Sequence, residues 1–440
     1  MRLAWLVVLA ACGDNLAPTG RFEIVGHADL GARGMNSALA LAGDVAYVGS
    51  RDDAHGVAIV DISDPAQPTV VGELGPPDEG LTGMSSRELR AVPDLNLLVV
   101  LNLQCSPDLH GCAPSAAEGE NLKLYDITDR RAPRLVATYP VHGGRLQPRS
   151  PHEMFLYRDG ARVLLYVTTP PGPPSLDVVD ISDPARPASL VQWDAIKDGG
   201  LAGPGGGNNI LHSIGASADG RTAFLSHQTD GLALADLGGT LDTGAAPQLI
   251  TPPAQVLKWP GMGPHSAVQA PGRPLLVVTE EIYPMPFGSG CPWGHLRTVD
   301  ISDPTAPRVA GESQLAENDP AFCASAAPYT AFTAHNATVL PDLALVTWYA
   351  GGLEAIDISD PAQPAQLAEL RPEPLPAVEH EDPGLGGNPV EMWSYPVIAN
   401  GLVYVVDVRN GLYVVRYRGL WANEVAGETF REGNSNLTGS

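Results

Sequence analysis

The sequence predicts an all-β protein built from seven repeated four-stranded units, and three observations lead to this fold class. A short phrase built on the letters DISDP recurs along the chain. A second recurring phrase, of the strand–turn–strand type, separates its copies. The 440 residues include 48 glycines and 42 prolines, a turn content that suits many short strands and does not suit long helices.

The DISDP phrase reads as a strand, a turn and a second strand. Its clearest copies occupy residues 58–74, 177–193, 297–313 and 354–370. Each copy opens with alternating apolar residues, which is typical of a half-buried strand. Aspartate and serine side chains bond to nearby backbone and proline sets the turn dihedral, so the strand ends there. A second proline follows, and because proline cannot donate to a β-ladder, we expect the next strand at a sheet edge.

Weaker copies of the phrase bring the number of repeats to seven. Marked by the residue that ends the first strand of each copy, the repeats are at Asp61, Asp126, Asp180, Asp236, Asp300, Asp357 and Arg416. The hairpin phrase adds two further strands to each repeat. Such a unit buries its faces only by stacking on neighbouring units. The sequence therefore predicts a seven-bladed β-propeller with four-stranded antiparallel blades, and a row of β-sandwich domains is the alternative.

The two ends of the repeat region predict how the ring closes. Residues 21–31 look like an outer strand that lacks the three strands before it, whereas the seventh repeat has three strands and no clear fourth. We therefore expect the N-terminal strand to complete the last blade, with residues 422–430 as the competing segment. On this basis the propeller covers residues 21–420 and a C-terminal tail covers residues 421–440.

The DISDP copies resemble the repeats of the LVIVD-repeat proteins, a bacterial family of predicted propellers. The resemblance extends over nearly the whole chain after the first residues. It implies the propeller architecture and implies no reaction, because the family is defined by its repeat.

The first residues have the pattern of an export signal. Arg2 precedes a short apolar run, and the letters LAAC at residues 9–12 resemble the bacterial lipobox, in which the cysteine is lipidated. We expect a lipoprotein signal peptide over residues 1–11, followed by lipidated Cys12 and a linker to residue 20. Ordinary secretion and a buried apolar strand are the alternatives. The expected location is the bacterial cell envelope, anchored on the periplasmic or outer surface, with membrane contact only through the lipid.

The four remaining cysteines predict two disulfides, since an exported chain meets an oxidising compartment. Cys105 and Cys112 flank a short loop, and Cys291 and Cys323 are then left for each other. The formal charge of -24 argues against nucleic acid as a partner, because binding phosphates requires a basic face.

Aligned hairpins place one residue of each inner strand at the same level of the central channel. In ring order these residues are Ser37, Arg87, His152, His212, His265, His335 and Ser394. Four neighbouring imidazoles at one level predict a transition-metal site for copper or zinc. Glu88 and Glu153 follow two of these positions, so their carboxylates are expected to orient the ligands. The alternative is that each histidine bonds the backbone of the next blade and holds the ring together.

Long loops are predicted on the same face as the histidines, which is where function usually lies on a rigid scaffold. We expect His380 at this mouth, either as a further ligand or in a solvated acidic loop. Trp348 and Trp393 map near the same mouth, together with Trp259 and Trp293. They predict a pocket for a sugar or other small organic ligand, unless they fill gaps between blades.

Two functions are compatible with these features. The first is a lipid-anchored binding or scaffold module that holds a small organic ligand, a sugar or a cell-envelope protein at the channel mouth. The second is a metal-dependent enzyme, an oxidoreductase in one version, that uses the histidine cluster. In its histidine-lined channel the second version looks similar to the selenium-binding proteins with methanethiol oxidase activity, which are also propellers. This similarity is one of architecture alone.

Overall fold

A computed structural model describes residues 20–75, 83–113, 120–141, 151–170, 173–201, 210–228 and 230–438. Within these ranges, seven antiparallel sheets follow one another along the chain. Six have four strands each, and the seventh has four strands and one short addition. The predicted seven-bladed β-propeller is therefore confirmed. The expected signal peptide and lipidated Cys12 lie outside the described residues.

The N-terminal strand β1 (Arg21–Ala28) comes before the first complete blade. The first three blades follow it, each with its strands paired in chain order from the inside outwards. The strands of these blades are β2 (Asn36–Ala42), β3 (Val45–Ser50), β4 (Val57–Asp61), β5 (Thr69–Leu74); β6 (Met84–Val92), β7 (Leu97–Gln104), β8 (Asn121–Asp126), β9 (Arg134–Pro140); β10 (Met154–Asp159), β11 (Arg162–Thr168), β12 (Leu176–Asp180) and β13 (Ala188–Trp193).

The remaining blades repeat this order, and the last one also receives segments from both ends of the chain. Their strands are β14 (Leu211–Ala216), β15 (Thr222–His227), β16 (Gly231–Asp236), β17 (Gln248–Leu249); β18 (Ser266–Gln269), β19 (Leu275–Thr279), β20 (Leu296–Asp300), β21 (Arg308–Ser313); β22 (Ala337–Val339), β23 (Leu343–Thr347), β24 (Leu353–Asp357), β25 (Ala365–Leu370); β26 (Val397–Ala399), β27 (Leu402–Asp407), β28 (Gly411–Arg418) and β29 (Phe430–Arg431).

Helices are short and lie in the connections between strands. The α-helices of the described residues are α1 (Pro107–His110), α2 (Gly238–Thr243), α3 (Pro320–Cys323) and α4 (Ala422–Gly427). Single 3₁₀ turns occur at Leu30–Ala32, Pro93–Leu95, Pro253–Gln255 and Ala316–Asn318. Among the described residues, no helix has both the length and the apolar character needed to cross a membrane.

The DISDP turn is held by its own aspartates and packs against the neighbouring blade. In the first copy, the backbone N–H of Ser63 donates to Asp61 Oδ1 at 2.9 Å, and that of Ala66 donates to Asp64 Oδ1 at 3.0 Å. The same bond closes the turn at Asp180, Asp300 and Asp357. These local bonds satisfy backbone donors where the strand ends, as the sequence pattern predicts.

Apolar packing between successive blades forms the core. Seven buried clusters each lie between two adjacent blades, so every blade is covered on both faces. One of them joins the last blade to the first and includes Leu39, Val60, Val406 and Val414. Continuous packing around the ring is the arrangement expected of a closed propeller and not of a row of sandwich domains.

The N-terminal strand completes the last blade, as predicted. β1 pairs antiparallel with β28 from Arg21 opposite Arg418 to Ala28 opposite Leu412. The first strand in the chain therefore lies in the sheet of the last blade, and its pairing with β28 closes the ring.

The C-terminal tail, which includes the competing residues 422–430, does not form the outer strand of the last blade. β29 pairs with β26, the innermost strand of the last blade, so the tail lies at the channel. Beyond it, the side-chain amide of Asn434 donates to the carbonyl of Met154 at 3.0 Å, and the side-chain amide of Asn436 donates to the carbonyl of Arg158 at 2.8 Å. The tail thus joins the last blade to the third blade across the channel.

Both predicted disulfides are formed, between Cys105 and Cys112 and between Cys291 and Cys323. The first holds the loop that contains α1, and the second links the loop before β20 to the helix α3. Both lie in connections between strands and not within the sheets.

Ring closure depends on the close approach of β1 to the first DISDP turn. A Cβ atom on Gly26 would lie 2.1 Å from the carbonyl oxygen of Pro65, whereas a Cβ atom on Gly72 of another outer strand meets only Ile59 at 3.6 Å. We expect Gly26→Val to lower the free energy of unfolding by about 2 kcal/mol or more, because the added atoms force the blades apart.

The matched variant Gly72→Val should change stability by less than about 1 kcal/mol, because its new side chain enters open space. Thermal and urea unfolding of the two variants would measure this difference. Equal destabilisation by both substitutions would contradict the proposed role of the β1 contact.

Candidate functional site

The four predicted histidines lie side by side at one level of the channel. The ring centroids of His152 and His212 are 4.2 Å apart, those of His212 and His265 are 4.2 Å apart, and those of His265 and His335 are 4.0 Å apart. Each residue lies within or just before the innermost strand of its blade. Radial packing of the blades therefore brings together side chains from four distant segments.

Side chains at this level also bond the backbone of the next blade. His265 Nδ1 lies 3.1 Å from the carbonyl oxygen of His335, and His335 Nδ1 lies 2.6 Å from that of Trp393. Arg87 Nε donates to the carbonyl of His152 at 3.2 Å, and the Ser37 hydroxyl donates to that of Ser86. These residues therefore also link neighbouring blades, which is the alternative role that the sequence left open.

These inter-blade bonds also orient the free nitrogens of the rings. A carbonyl oxygen only accepts, so the bonded Nδ1 atoms of His265 and His335 must carry the proton. In the neutral ring the lone pair then lies on Nε2, the atom left available for a ligand. A bond from the second ring nitrogen to a backbone carbonyl is the usual support of metal-binding histidine.

A buried carboxylate, that of Glu281, lies opposite these Nε2 atoms. It lies two residues after Thr279, the last residue of β19. The shortest distances to its carboxylate oxygens are 3.3 Å from His335 Nε2, 3.6 Å from His265 Nε2 and 3.8 Å from His212 Nε2. The Tyr349 hydroxyl donates to the same carboxylate. The fourth, fifth and sixth blades thus present three imidazoles and one carboxylate to a common point.

Burial and neighbouring charge give the site distinct protonation states. Burial raises the pKa of Glu281, but His335, His265 and the Tyr349 hydroxyl outweigh it, so the pKa falls below the ordinary range and the carboxyl is ionised. Burial lowers the pKa of His265 well below its usual value, with His335 acting in the same direction. The pKa values of His152 and His212 are lowered well below normal, again mainly by burial.

His152 and Arg87 form the side of the cluster nearest the second blade. His152 Nε2 lies 2.7 Å from His212 Nε2 and 3.2 Å from Arg87 Nη2. The guanidinium of Arg87 also stacks on the ring of Trp393, with 4.9 Å between its carbon and the ring centroid. A positive charge therefore stands next to the imidazoles at the channel mouth.

The predicted carboxylates Glu88 and Glu153 are both buried, and they have different partners. Glu88 pairs with Arg90 at 3.0 Å, and both side chains are buried. Glu153 Oε1 lies 3.8 Å from His265 Nε2, and the Tyr395 hydroxyl donates to Glu153 Oε2 at 3.4 Å. Burial and the nearby Glu88 raise the pKa of Glu153 to about 8, so this carboxyl is largely protonated at neutral pH.

Two overlapping sets of residues have the spacing of metal ligands. In each set the candidate donor atoms lie within 4.8 Å of one another, and all the residues are buried. The sets are Glu153, His212 and His265, and His265, Glu281 and His335. They share His265, so they describe one connected cluster. His265 Nε2, Glu153 Oε1 and His212 Nδ1 are buried and have no hydrogen-bond partner among the described residues.

A cavity of about 470 Å³ opens over this cluster. Its polar lining residues include Arg87, His152, His212 and Glu281. Its other lining side chains include the apolar Leu103, Leu109, Met262, Ile282 and Phe287. A concave, mostly apolar space with a few convergent polar groups is the usual form of a small-molecule site.

Other residues predicted near the mouth have different surroundings. His380 Nδ1 bonds to Asp52 Oδ2 at 2.5 Å, beside the first blade, and it does not line the cavity. Trp348 is fully buried within the packing between the fifth and sixth blades, where its indole N–H donates to Phe332. Trp393 is buried too, but it lies under the guanidinium groups of Arg51 and Arg87.

Sequence reasoning missed Glu281, Tyr349 and Arg51. Glu281 lies in one of the long loops that are predicted on the face of the histidines, and neither the length nor the face of that loop marks this residue as a ligand. A usable signal was its position just after the second strand of a blade, because the ends of second strands return to the level where inner strands begin. Tyr349 occupies a similar position, two residues after β23.

Comparisons with known proteins agree with the repeat and the fold. The LVIVD repeat model matches residues 33–74, 173–194, 291–313 and 334–368, which confirms the resemblance seen in the DISDP copies. No curated protein matches the chain in sequence.

The chain is also similar to several solved structures, each with low sequence identity to it. Sqt1 of Chaetomium thermophilum, bound to the N-terminus of the ribosomal protein L10, is 14% identical, covers 89% of this chain and 98% of its own, and has a TM-score of 0.52. The C-terminal WD40 domain of Sif2 is 11% identical, covers 90% and 98%, and has a TM-score of 0.50. A periplasmic gluconolactonase of Pseudomonas aeruginosa is 15% identical, covers 76% and 84%, and has a TM-score of 0.48. The likeness to Sqt1 and Sif2 extends to the fold alone.

Glu88 and Arg90 form a buried ion pair on β6, the innermost strand of the second blade. Arg90→Met should lower the free energy of unfolding by about 3–5 kcal/mol, because it leaves the Glu88 carboxylate buried without its partner. The double variant Glu88→Leu with Arg90→Met should recover most of that loss, since neither charge is then left alone. Urea unfolding of both variants measures this. A double variant as unstable as the single one would contradict the explanation.

Proposed function

We propose that this LVIVD-repeat propeller is a metal-dependent enzyme that acts on a small molecule in the channel-mouth cavity. The metal, zinc, copper or iron, would be held by His212, His265, His335 and Glu281, with His152 and Glu153 beside them. The single observation that supports this most is the convergence of three imidazole Nε2 atoms on one buried carboxylate.

Electrostatics favours a cation at this point. In the neutral rings of His265 and His335, the inter-blade bonds leave the lone pair on Nε2, where it faces the Glu281 carboxylate. Lone pairs and an anionic oxygen repel each other unless a proton or a metal ion lies between them. Burial lowers the pKa of His265 and so disfavours a proton on its Nε2. A metal ion between His265 and Glu281 is therefore favoured over a proton.

The types of donor atom limit which metal ions would suit the site. Imidazole nitrogen suits zinc and copper, and histidines combined with one carboxylate also serve non-haem iron. When bound, such a metal acts as a Lewis acid toward a carbonyl or a water molecule. The residues would hold the metal from the channel side, and the cavity would give a ligand access from the other side.

We also propose that the chain acts outside the cytoplasm, anchored through lipidated Cys12. Two disulfides support export, because disulfides persist in oxidising compartments. Cell-envelope partners follow from that location and are part of the same proposal.

The second candidate is a binding module without catalysis. The cavity favours it, because a small organic ligand would fit there whether or not a metal is bound. Contact with a sugar through Trp348 would require the blades to separate, since that side chain is buried between them.

Metal content tests the enzyme proposal directly. We expect the full chain, purified without a histidine tag, to carry about one zinc, copper or iron ion. The variant Glu281→Gln and the double variant His265→Ala with His335→Ala should each lose most of it, because they remove donors from the shared point. Elemental analysis by mass spectrometry measures the metal, and circular dichroism verifies the fold.

His27→Gln is the matched control. His27 lies on β1, stacks on Tyr413 and bonds to the carbonyl of Asn410, far along the chain from the cluster. Its metal content should equal that of the parent protein. A folded parent protein that takes up no first-row metal, even when supplied with it, would contradict the enzyme proposal and favour the binding module.

A further inference from the structure

The cavity above the cluster contains an arginine whose charge has no described counterion. Arg87 is only 8% exposed. In the described part of the chain, no carboxylate lies within ion-pair distance of its guanidinium, and its hydrogen bonds go to the carbonyl and ring of His152. A buried positive charge without an anion is costly, and proteins retain such groups at sites that bind one.

Neighbouring groups hold this guanidinium in place. Its face lies over Trp393 at 4.9 Å, and Arg51 lies over the same ring at 5.4 Å. Arg51 differs from Arg87 in one respect, because its Nε is paired with Asp382 at 3.0 Å. The charge of Arg51 is therefore balanced within the protein, whereas the charge of Arg87 faces the cavity.

The arginine is close enough to the cluster for one small molecule to reach both. Arg87 Nη2 lies 3.2 Å from His152 Nε2, which lies 2.7 Å from His212 Nε2. Apolar side chains, among them Leu103, Ile282 and Phe287, line the rest of the cavity. The space thus combines a cationic fork, an apolar wall and the proposed metal centre.

We propose that the ligand of this cavity is a small carboxylate with an apolar body, whose carboxylate group is bound by Arg87. This inference rests on the proposed function for the identity of the reacting centre, but the contact with Arg87 does not itself require a metal. An arginine fork matches the two oxygens of a carboxylate, and a neutral amide of the same shape lacks the charge that makes this pair strong.

Binding of benzoate, compared with that of neutral benzamide, tests the proposal. Calorimetry on the full chain should show benzoate binding and at least about tenfold weaker binding of benzamide. Arg87→Gln should weaken benzoate binding about tenfold or more and leave benzamide nearly unchanged. Arg87→Lys should lose less than Arg87→Gln, because it keeps the charge but not the fork.

Arg297→Gln is the matched control, because Arg297 is also buried and stacked on a tryptophan, Trp259, but is paired with Glu280 outside the cavity. It should retain benzoate affinity. Melting temperatures identify the folded variants to be compared. Equal affinity for benzoate in the parent and the folded Arg87→Gln variant would overturn the proposal, as would no benzoate binding to the parent.

Measurements with and without bound metal separate the two proposals. Benzoate binding that depends on Arg87 in a chain that takes up no metal would support the carboxylate site and contradict the metal centre. A chain that binds metal through Glu281 but binds benzamide as well as benzoate would support the metal centre and contradict the carboxylate site.

Discussion

The hydrogen bond from one blade's inner side chain to the next blade's backbone is the interaction on which the candidate site depends. His265 bonds in this way to the sixth blade and His335 to the seventh. Each bond ties two sheets together and at the same time directs Nε2 toward Glu281. A histidine can therefore link two blades and bind a ligand at the same time. Its Nδ1 bonds the next blade, and its Nε2 faces the channel.

Closure of the ring supplies the constraint that makes these bonds possible. Pairing of β1 with β28 joins the two ends, and the cluster between the last and first blades completes the core. The C-terminal tail adds contacts from the innermost strand of the last blade to the third blade. Inner strands that are held this firmly keep the four imidazoles in contact with one another.

Sequence patterns predicted the elements that repeat and missed those that occur once. The DISDP turns recur with the same aspartate bonds, and alignment of the hairpins was enough to place His152, His212, His265 and His335 at one level. Glu281 aligns with Tyr349 of the next blade, so no shared residue type marked its position. The tail has only a two-residue strand, too short for an alternating pattern. Aromatic residues such as Trp348 fit equally well at a mouth or between blades, and burial distinguishes the two only once the fold is known.

The most direct test of the account is anomalous X-ray scattering from crystals of the full chain, recorded at the absorption edge of the metal found by elemental analysis. The account predicts one strong peak among His212, His265, His335 and Glu281, at about 2.0–2.2 Å from the bonded nitrogen and oxygen atoms. A metal peak on the surface, with the space between these four side chains occupied only by solvent or protons, would contradict it.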